Sequence, residues 1–269
     1  MSRRTFIGRA RRKLRYLRKR LRWARHNLAG RWRAQRELRA GRPRLDDLCR
    51  YEWRSRSQHG EDGILDAIFH TIGTTNRRFV EFGVGRGWRC NTAYLAHTLG
   101  WQGLMMDGSV DERSAPEVRQ AFINAENIEE LFEKHDVPRE FDLLSIDIDG
   151  NDYWVWEAIR SYLPRVVVIE YRAFIPPDES ATIPYDPDFV WDHRTNFCGA
   201  SLLALTRLGE RKGYRLVCCD STGTNAFFVH AQAGAERFPQ RSVDALYRPS
   251  KVGAARPGSE EARKRFIPV

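Results

Sequence analysis

Cysteine is scarce here, and what there is does not pair by spacing: Cys49, Cys90, Cys198, Cys218 and Cys219 make five, with no Cys-x-x-Cys among them. An odd count without that spacing argues against a disulfide framework and a zinc site, and favours a reducing compartment. No apolar run approaches the roughly 18 residues a membrane span needs, and the chain start lacks the apolar region of a secretory signal. The expectation is a cytoplasmic protein, soluble or peripheral on the inner face of a membrane. Acids are almost missing from the first 44 residues, which hold 18 Lys or Arg and one acid, Glu37. The other 225 residues hold 27 basic and 34 acidic side chains, so the net charge of +10 divides into a strongly basic arm and an acidic body. The basicity therefore concerns where the protein sits rather than the chemistry of the body.

What is present is enough for a substantial core, at 42% hydrophobic and 12% aromatic over 269 residues. Residues 1–44 read as an arm, 45–232 as one domain, and 233–269, polar and broken by prolines, as a surface tail. In the arm, Ile7, Ala10, Leu14, Leu17, Leu21, Ala24 and Leu28 recur at steps of three and four among arginines, the pattern of a basic amphipathic helix. Such a stripe packs on its own domain or a second copy, or binds an anionic membrane surface; nucleic acid and an organellar transit role rank below these.

The informative stretch is Phe79-Val80-Glu81-Phe82-Gly83-Val84-Gly85-Arg86-Gly87, followed by Asn91-Thr92-Ala93-Tyr94-Leu95-Ala96. An apolar run carrying an acid breaks into three alternating glycines and resumes at helical spacing, as in a buried strand, a tight turn and a helix start. Such a turn suits a nucleotide-type ligand approaching main-chain N–H groups beside the helix's positive end. A dinucleotide fingerprint would need a further glycine or alanine where Trp88 stands, which weakens a dehydrogenase assignment. Asp107 closes the next apolar strand, Trp101 to Met106, where an acid can accept both ribose hydroxyls of a nucleoside. Phe122 to Ile128 is the expected third strand, with Asn127 the candidate adenine contact.

Phe141 to Ile146 forms another buried strand running into Asp147, Asp149 and Asp152, and Val166 to Tyr171 the next, carrying Glu170. Strands alternating with helices make an α/β doubly wound sheet, whose ligands bind beyond the carboxyl ends of its strands. There Asp147, Asp149 and Glu170 converge if the last two strands are neighbours. Crowded acids imply a bound divalent cation such as Mg, a raised carboxyl pKa suited to a general base, or a neutralising arginine such as Arg172. The first possibility makes all three candidate metal ligands; the second makes them candidate catalytic groups, with His193 a further candidate base. Residues 173–197 form a long insertion rich in proline and aromatics, expected to roof the site through Tyr185, Trp191 and His193. Ser57 to Gly63 opens a helix whose acids default to a structural role in its first turn. Tyr214 to Cys219 and Asn225 to Val229 make a terminal hairpin.

Glu81-x-Gly83-x-Gly85-x-Gly87 resembles the first motif of class I S-adenosylmethionine (SAM) methyltransferases. With Ser57-Gln58-x-Gly60-Glu61-Asp62-Gly63, Leu144 to Tyr153, Val168-Ile169-Glu170-Tyr171 and Asn225 to Val229, the chain over 57–230 is similar to FkbM-like methyltransferases. That resemblance implies a Rossmann-like seven-stranded sheet of order 3-2-1-4-5-7-6 and SAM as methyl donor. It also implies O-methylation of a hydroxyl-bearing glycan, glycolipid or small metabolite. It assigns Glu81, Gly83, Gly85 and Asp107 to the donor, with Gly87 in the same turn, and Asp147 to the neighbourhood of the methyl group. Arg86 and Arg172 depart from the family pattern.

Overall fold

The structure is a computed structural model describing residues 27–41, 43–251 and 259–269. Its centre is a seven-stranded sheet of order β3-β2-β1-β4-β5-β8-β7. The strands are β1 (Arg78–Phe82), β2 (Gln102–Asp107), β3 (Val118–Gln120), β4 (Glu140–Ile146), β5 (Leu163–Glu170), β7 (Tyr214–Cys219) and β8 (Asn225–His230). A short β6 (Ala181–Thr182) lies outside the sheet, so the order is the one the sequence implies, with β8 antiparallel between β5 and β7. The third strand, however, is Val118–Gln120 and not 122–128. The latter segment runs as a loop into a helix starting at Ile128.

Alternation along the strands supplies two cores. Phe79, Leu143, Val166 and Val168 face α2 (Glu61–Ile72), α3 (Ala93–Leu99) and a helix over residues 27–39, here α1. Val80, Phe82, Leu144, Val167 and Ile169 face α4 (Ile128–Lys134), α5 (Asp152–Ala158) and α6 (Leu202–Arg211). Central parallel strands buried on both faces read as continuous apolar runs, which is why they were legible.

The ends of the chain are tied to the body. Ala34 and Leu38 are buried in the first core, and the Arg31 guanidinium sits over the rings of Trp53 and Tyr94, so α1 is part of the domain. Leu28 points outward, 63% exposed, while the rest of the expected apolar stripe lies outside the described residues. Residues 233–251 are likewise more than a surface tail: Ala235, Phe238 and Leu246 are buried, and the Tyr171 hydroxyl donates to the carbonyl of Arg248. β9 (Ile267–Pro268) pairs antiparallel with β6, tying the insertion to the C-terminal segment.

Candidate functional site

The carboxyl ends of β1, β2 and β4 open into two adjoining lobes of about 470 and 380 Å³. Gly83 and Asp147 line both, so the lobes meet there. One lobe runs from Asp107 and Ser109 past Phe122 and Ile123 to Trp191 and His193. The other runs from Gly85, Arg86 and Arg89 to Glu61, Thr224 and Asn225.

The glycine turn has positive φ at Gly83, Gly85 and Gly87 (80°, 56° and 72°), but the three serve different ends. A Cβ on Gly83 would fall 1.4 Å from the carbonyl oxygen of Asp147, so this glycine lets β1 and β4 pass at close range. One on Gly87 would press on Val118 and Met105 at 3.0 and 3.1 Å, and Gly87 lines neither lobe; its role is packing. Only Gly85 faces open space.

Glu81 is buried, and both carboxylate oxygens are in use. Oε1 accepts from the Asn91 N–H and Ser145 Oγ, Oε2 from the N–H and hydroxyl of Thr92. The acid therefore caps the chain entering α3, and those amides are not free for a ligand. Glu81, which the sequence placed on the donor, lines the second lobe and at the same time holds the turn from beneath.

Asp107 lines the first lobe with one oxygen partly available. Oδ1 accepts from the N–H and hydroxyl of Ser109 at 2.8 and 2.7 Å, and Oδ2 accepts from the Gly85 N–H at 2.7 Å. A ribose hydroxyl can share Oδ2; a second would have to displace the Ser109 hydroxyl. Asn127 is absent from the residues lining both lobes. Its amide accepts from the Asn124 N–H and donates to the Phe122 carbonyl, closing a local loop. Asn151, unnoticed in the sequence as a ligand group, lines the first lobe at 3% exposure. Its Nδ2 donates to the Asp186 carbonyl at 2.7 Å and its buried Oδ1 has no partner.

The acids do converge: Asp147, Asp149 and Glu170 bring ligand atoms within 4.8 Å of one another. Arg172 closes the cluster, its Nη2 lying 2.7 Å from Glu170 Oε2 and 3.1 Å from Asp149 Oδ1. Of the three possibilities the sequence left open, two are in place: a neutralising arginine and raised carboxyl pKa values. A divalent ion would have to expel that guanidinium, so the donor set as arranged does not fit a metal. Burial pushes the Glu170 carboxyl up to about 7, against the opposing pull of Arg172. Asp147 is raised well above the ordinary range by burial and then by the charges of Glu170, Asp149 and Asp152. Asp147 faces both lobes, Asp149 the first, and Glu170 neither.

The insertion roofs the first lobe, as expected, through Phe189, Val190, Trp191 and His193. Tyr185 instead turns its hydroxyl to Glu126 and the Ala125 N–H. His193 is exposed at φ 53°, its ring against Trp191.

No family model matches this chain. No curated protein matches it either. Methyltransferases are among the solved structures similar to it. A SAM-dependent methyltransferase from Aquifex aeolicus is 12% identical over 63% of this chain and 89% of its own, with TM-score 0.36. A mitomycin 7-O-methyltransferase is 17% identical over 64% of this chain and 53% of its own, TM-score 0.34. The methyltransferase domain of the citrinin polyketide synthase is 11% identical over 63% of this chain and 51% of its own, TM-score 0.38.

Proposed function

We propose that the chain is a SAM-dependent methyltransferase acting on a hydroxyl of a glycan, glycolipid or small metabolite, as the FkbM-like resemblance implies. One observation carries this: two lobes over the carboxyl ends of β1, β2 and β4 join at Gly83 and Asp147. An elongated nucleoside with an amino-acid tail fits across that junction. SAM supplies a methyl group already activated on a sulfonium. The protein's own residues do the rest. Asp107 Oδ2 accepts a ribose hydroxyl, and the unpartnered Oδ1 of Asn151 suits the adenine amine, the role first given to Asn127. Arg86 and Arg89, lining the second lobe, suit the carboxylate of the tail.

Asp147 then stands where the acceptor meets the donor. As the O–CH₃ bond forms and the sulfonium C–S bond breaks with its electron pair left on sulfur, Asp147 takes the hydroxyl proton. Glu170, Asp149 and Arg172 act behind it by setting its charge, and His193 is left at the rim of the donor lobe. Calorimetry with SAM tests the binding half. Wild-type affinity should fall at least about tenfold in Asp107→Ala, the loss of a charge-assisted hydrogen bond. No wild-type binding, or no change in the variant, refutes the assignment.

A second proposal concerns location. Leu28 and Trp32, one turn apart on α1, are 63% and 65% exposed, and the Arg36 guanidinium lies over the Trp32 ring. Apolar side chains among arginines suit an anionic membrane surface.

A further inference from the structure

Asn225 opens β8 directly opposite Glu170 of β5, and it lines the second lobe at 3% exposure. Its Nδ2 donates to Glu61 Oε1 at 2.9 Å, and Glu61, fully buried, is itself held by the His59 N–H at Oε2. The carboxylate fixes which way the amide faces, since turning it over would set two acceptor oxygens against each other. The other end of the amide, Oδ1, is buried and unpartnered. An acceptor oxygen kept from water and left without a donor is costly, and it points to a donor that arrives with a ligand.

The order of the sheet says which ligand. From β2 through β1 to β4 the site offers Asp107, the glycine turn and Asp147, which the donor uses from ribose to methyl group. β5 and β8 come next, beyond the methyl. The lobes measure about 470 and 380 Å³, each within the range of about 300–1,000 Å³ of pockets that hold one small ligand, so the pair can take a second molecule beside the donor. With Arg86 and Arg89 paired to the carboxylate of the donor, the group left on offer in the second lobe is a neutral amide oxygen, which takes a hydroxyl donor.

Resting on the methyl-transfer assignment, we infer that Glu61 and Asn225 form the acceptor subsite, and that the acceptor is a polyol. One of its hydroxyls faces Asp147 and is methylated; another donates to Asn225 Oδ1. Asn225 is the specificity residue, and Glu61 is the positioning residue that keeps its oxygen turned to the ligand.

The test uses the full chain as wild type, Asn225→Leu and Glu61→Gln, with melting curves to show that each folds. Calorimetry with SAM and with 5′-methylthioadenosine, which lacks the amino-acid tail, should give affinities within about twofold of wild type for both variants. Tritiated methyl transfer from SAM into a panel of methyl glycosides and their monodeoxy analogues should label at least one glycoside. Asn225→Leu should lower kcat/KM for it by about 100-fold. One monodeoxy analogue should show the same loss with wild type, and no further loss with Asn225→Leu, because both changes remove one hydrogen bond. Glu61→Gln lets the amide turn over and should fall between the two. Three results would overturn the inference: Asn225→Leu weakening SAM but not methylthioadenosine, additive losses, or a SAM-binding wild type that labels no glycoside. A wild type that binds no SAM sinks the methyl-transfer assignment instead.

Discussion

Arg172 Nη2 lies 2.7 Å from Glu170 Oε2, a contact between a guanidinium only 13% exposed in its side chain and a carboxylate 15% exposed. Even with this partner, burial leaves the Glu170 carboxyl titrating at about 7 rather than at the usual 4.5. A folded-state pKa above the unfolded one means that the native protein holds a proton the unfolded chain has released. Stability should therefore fall as pH rises from about 4.5 to about 7 and level off above, by about 3 kcal/mol for Glu170 alone. Urea unfolding at pH 5 and pH 8 measures this. Glu170→Gln should remove its own share of the difference and leave the part due to Asp147, whose carboxyl is raised in the same direction, and a wild-type protein equally stable at both pH values refutes it.

The glycine turn separates fold from function. Gly83→Ala places a methyl 1.4 Å from the Asp147 carbonyl oxygen at φ 80°, so β1 and β4 must part, and a loss above about 4 kcal/mol or failure to fold is expected. Gly85→Ala meets nothing within 4 Å and bears only the left-handed backbone strain at φ 56°, about 1–2 kcal/mol. Thermal melts of the two variants should rank in that order. Equal losses would mean that the close passage of the two strands does not govern the turn.

Much of this was legible in the sequence, for a physical reason. The strands of the parallel sheet are apolar on both faces, so they stand out as runs, and Asp107, Asp147 and Glu170 fall at or just past their ends, where such sheets hold ligands. β3 was missed because Val118-Arg119-Gln120 has one buried residue and two exposed ones, too short for a pattern. Asn151 and Asn225 were missed because an amide carries no signal of its own. What marks them is the partner that occupies one end and leaves the other bare, and Glu61 and Asp186 are far from them in sequence. Glu81 was seen, and it lines the second lobe, but its bonds to the chain entering α3 were not legible: an acid before a glycine turn looks the same whether it grips a ligand or caps the helix that follows.

That distinction predicts opposite phenotypes for two neighbouring acids. Glu81→Ala strips the partners from two buried N–H groups and two hydroxyls, and should cost about 3–5 kcal/mol, with SAM affinity falling only as the fold does. Asp107→Ala, in the wall of the first lobe, should cost less stability and more affinity. Denaturant titrations and SAM calorimetry on both variants check the pair, and a Glu81→Ala protein of wild-type stability would return that acid to the ligand.

The placement of α1 bears on how the basic arm should be tested. Ala34 and Leu38 anchor this helix in the core, so a deletion of residues 1–44 would open the domain as well as remove charge. The informative variants are a deletion ending at residue 26 and Leu28→Glu with Trp32→Glu in the full chain. The full chain should float with vesicles of anionic lipid and leave them as salt rises, since each basic residue near such a surface contributes about 1 kcal/mol and screening removes it. The double substitution should release the protein while leaving all basic residues in place, because it withdraws the apolar side chains from the interface. Flotation unchanged by the double substitution, with binding to RNA that weakens steeply in salt, would assign the arm to nucleic acid instead.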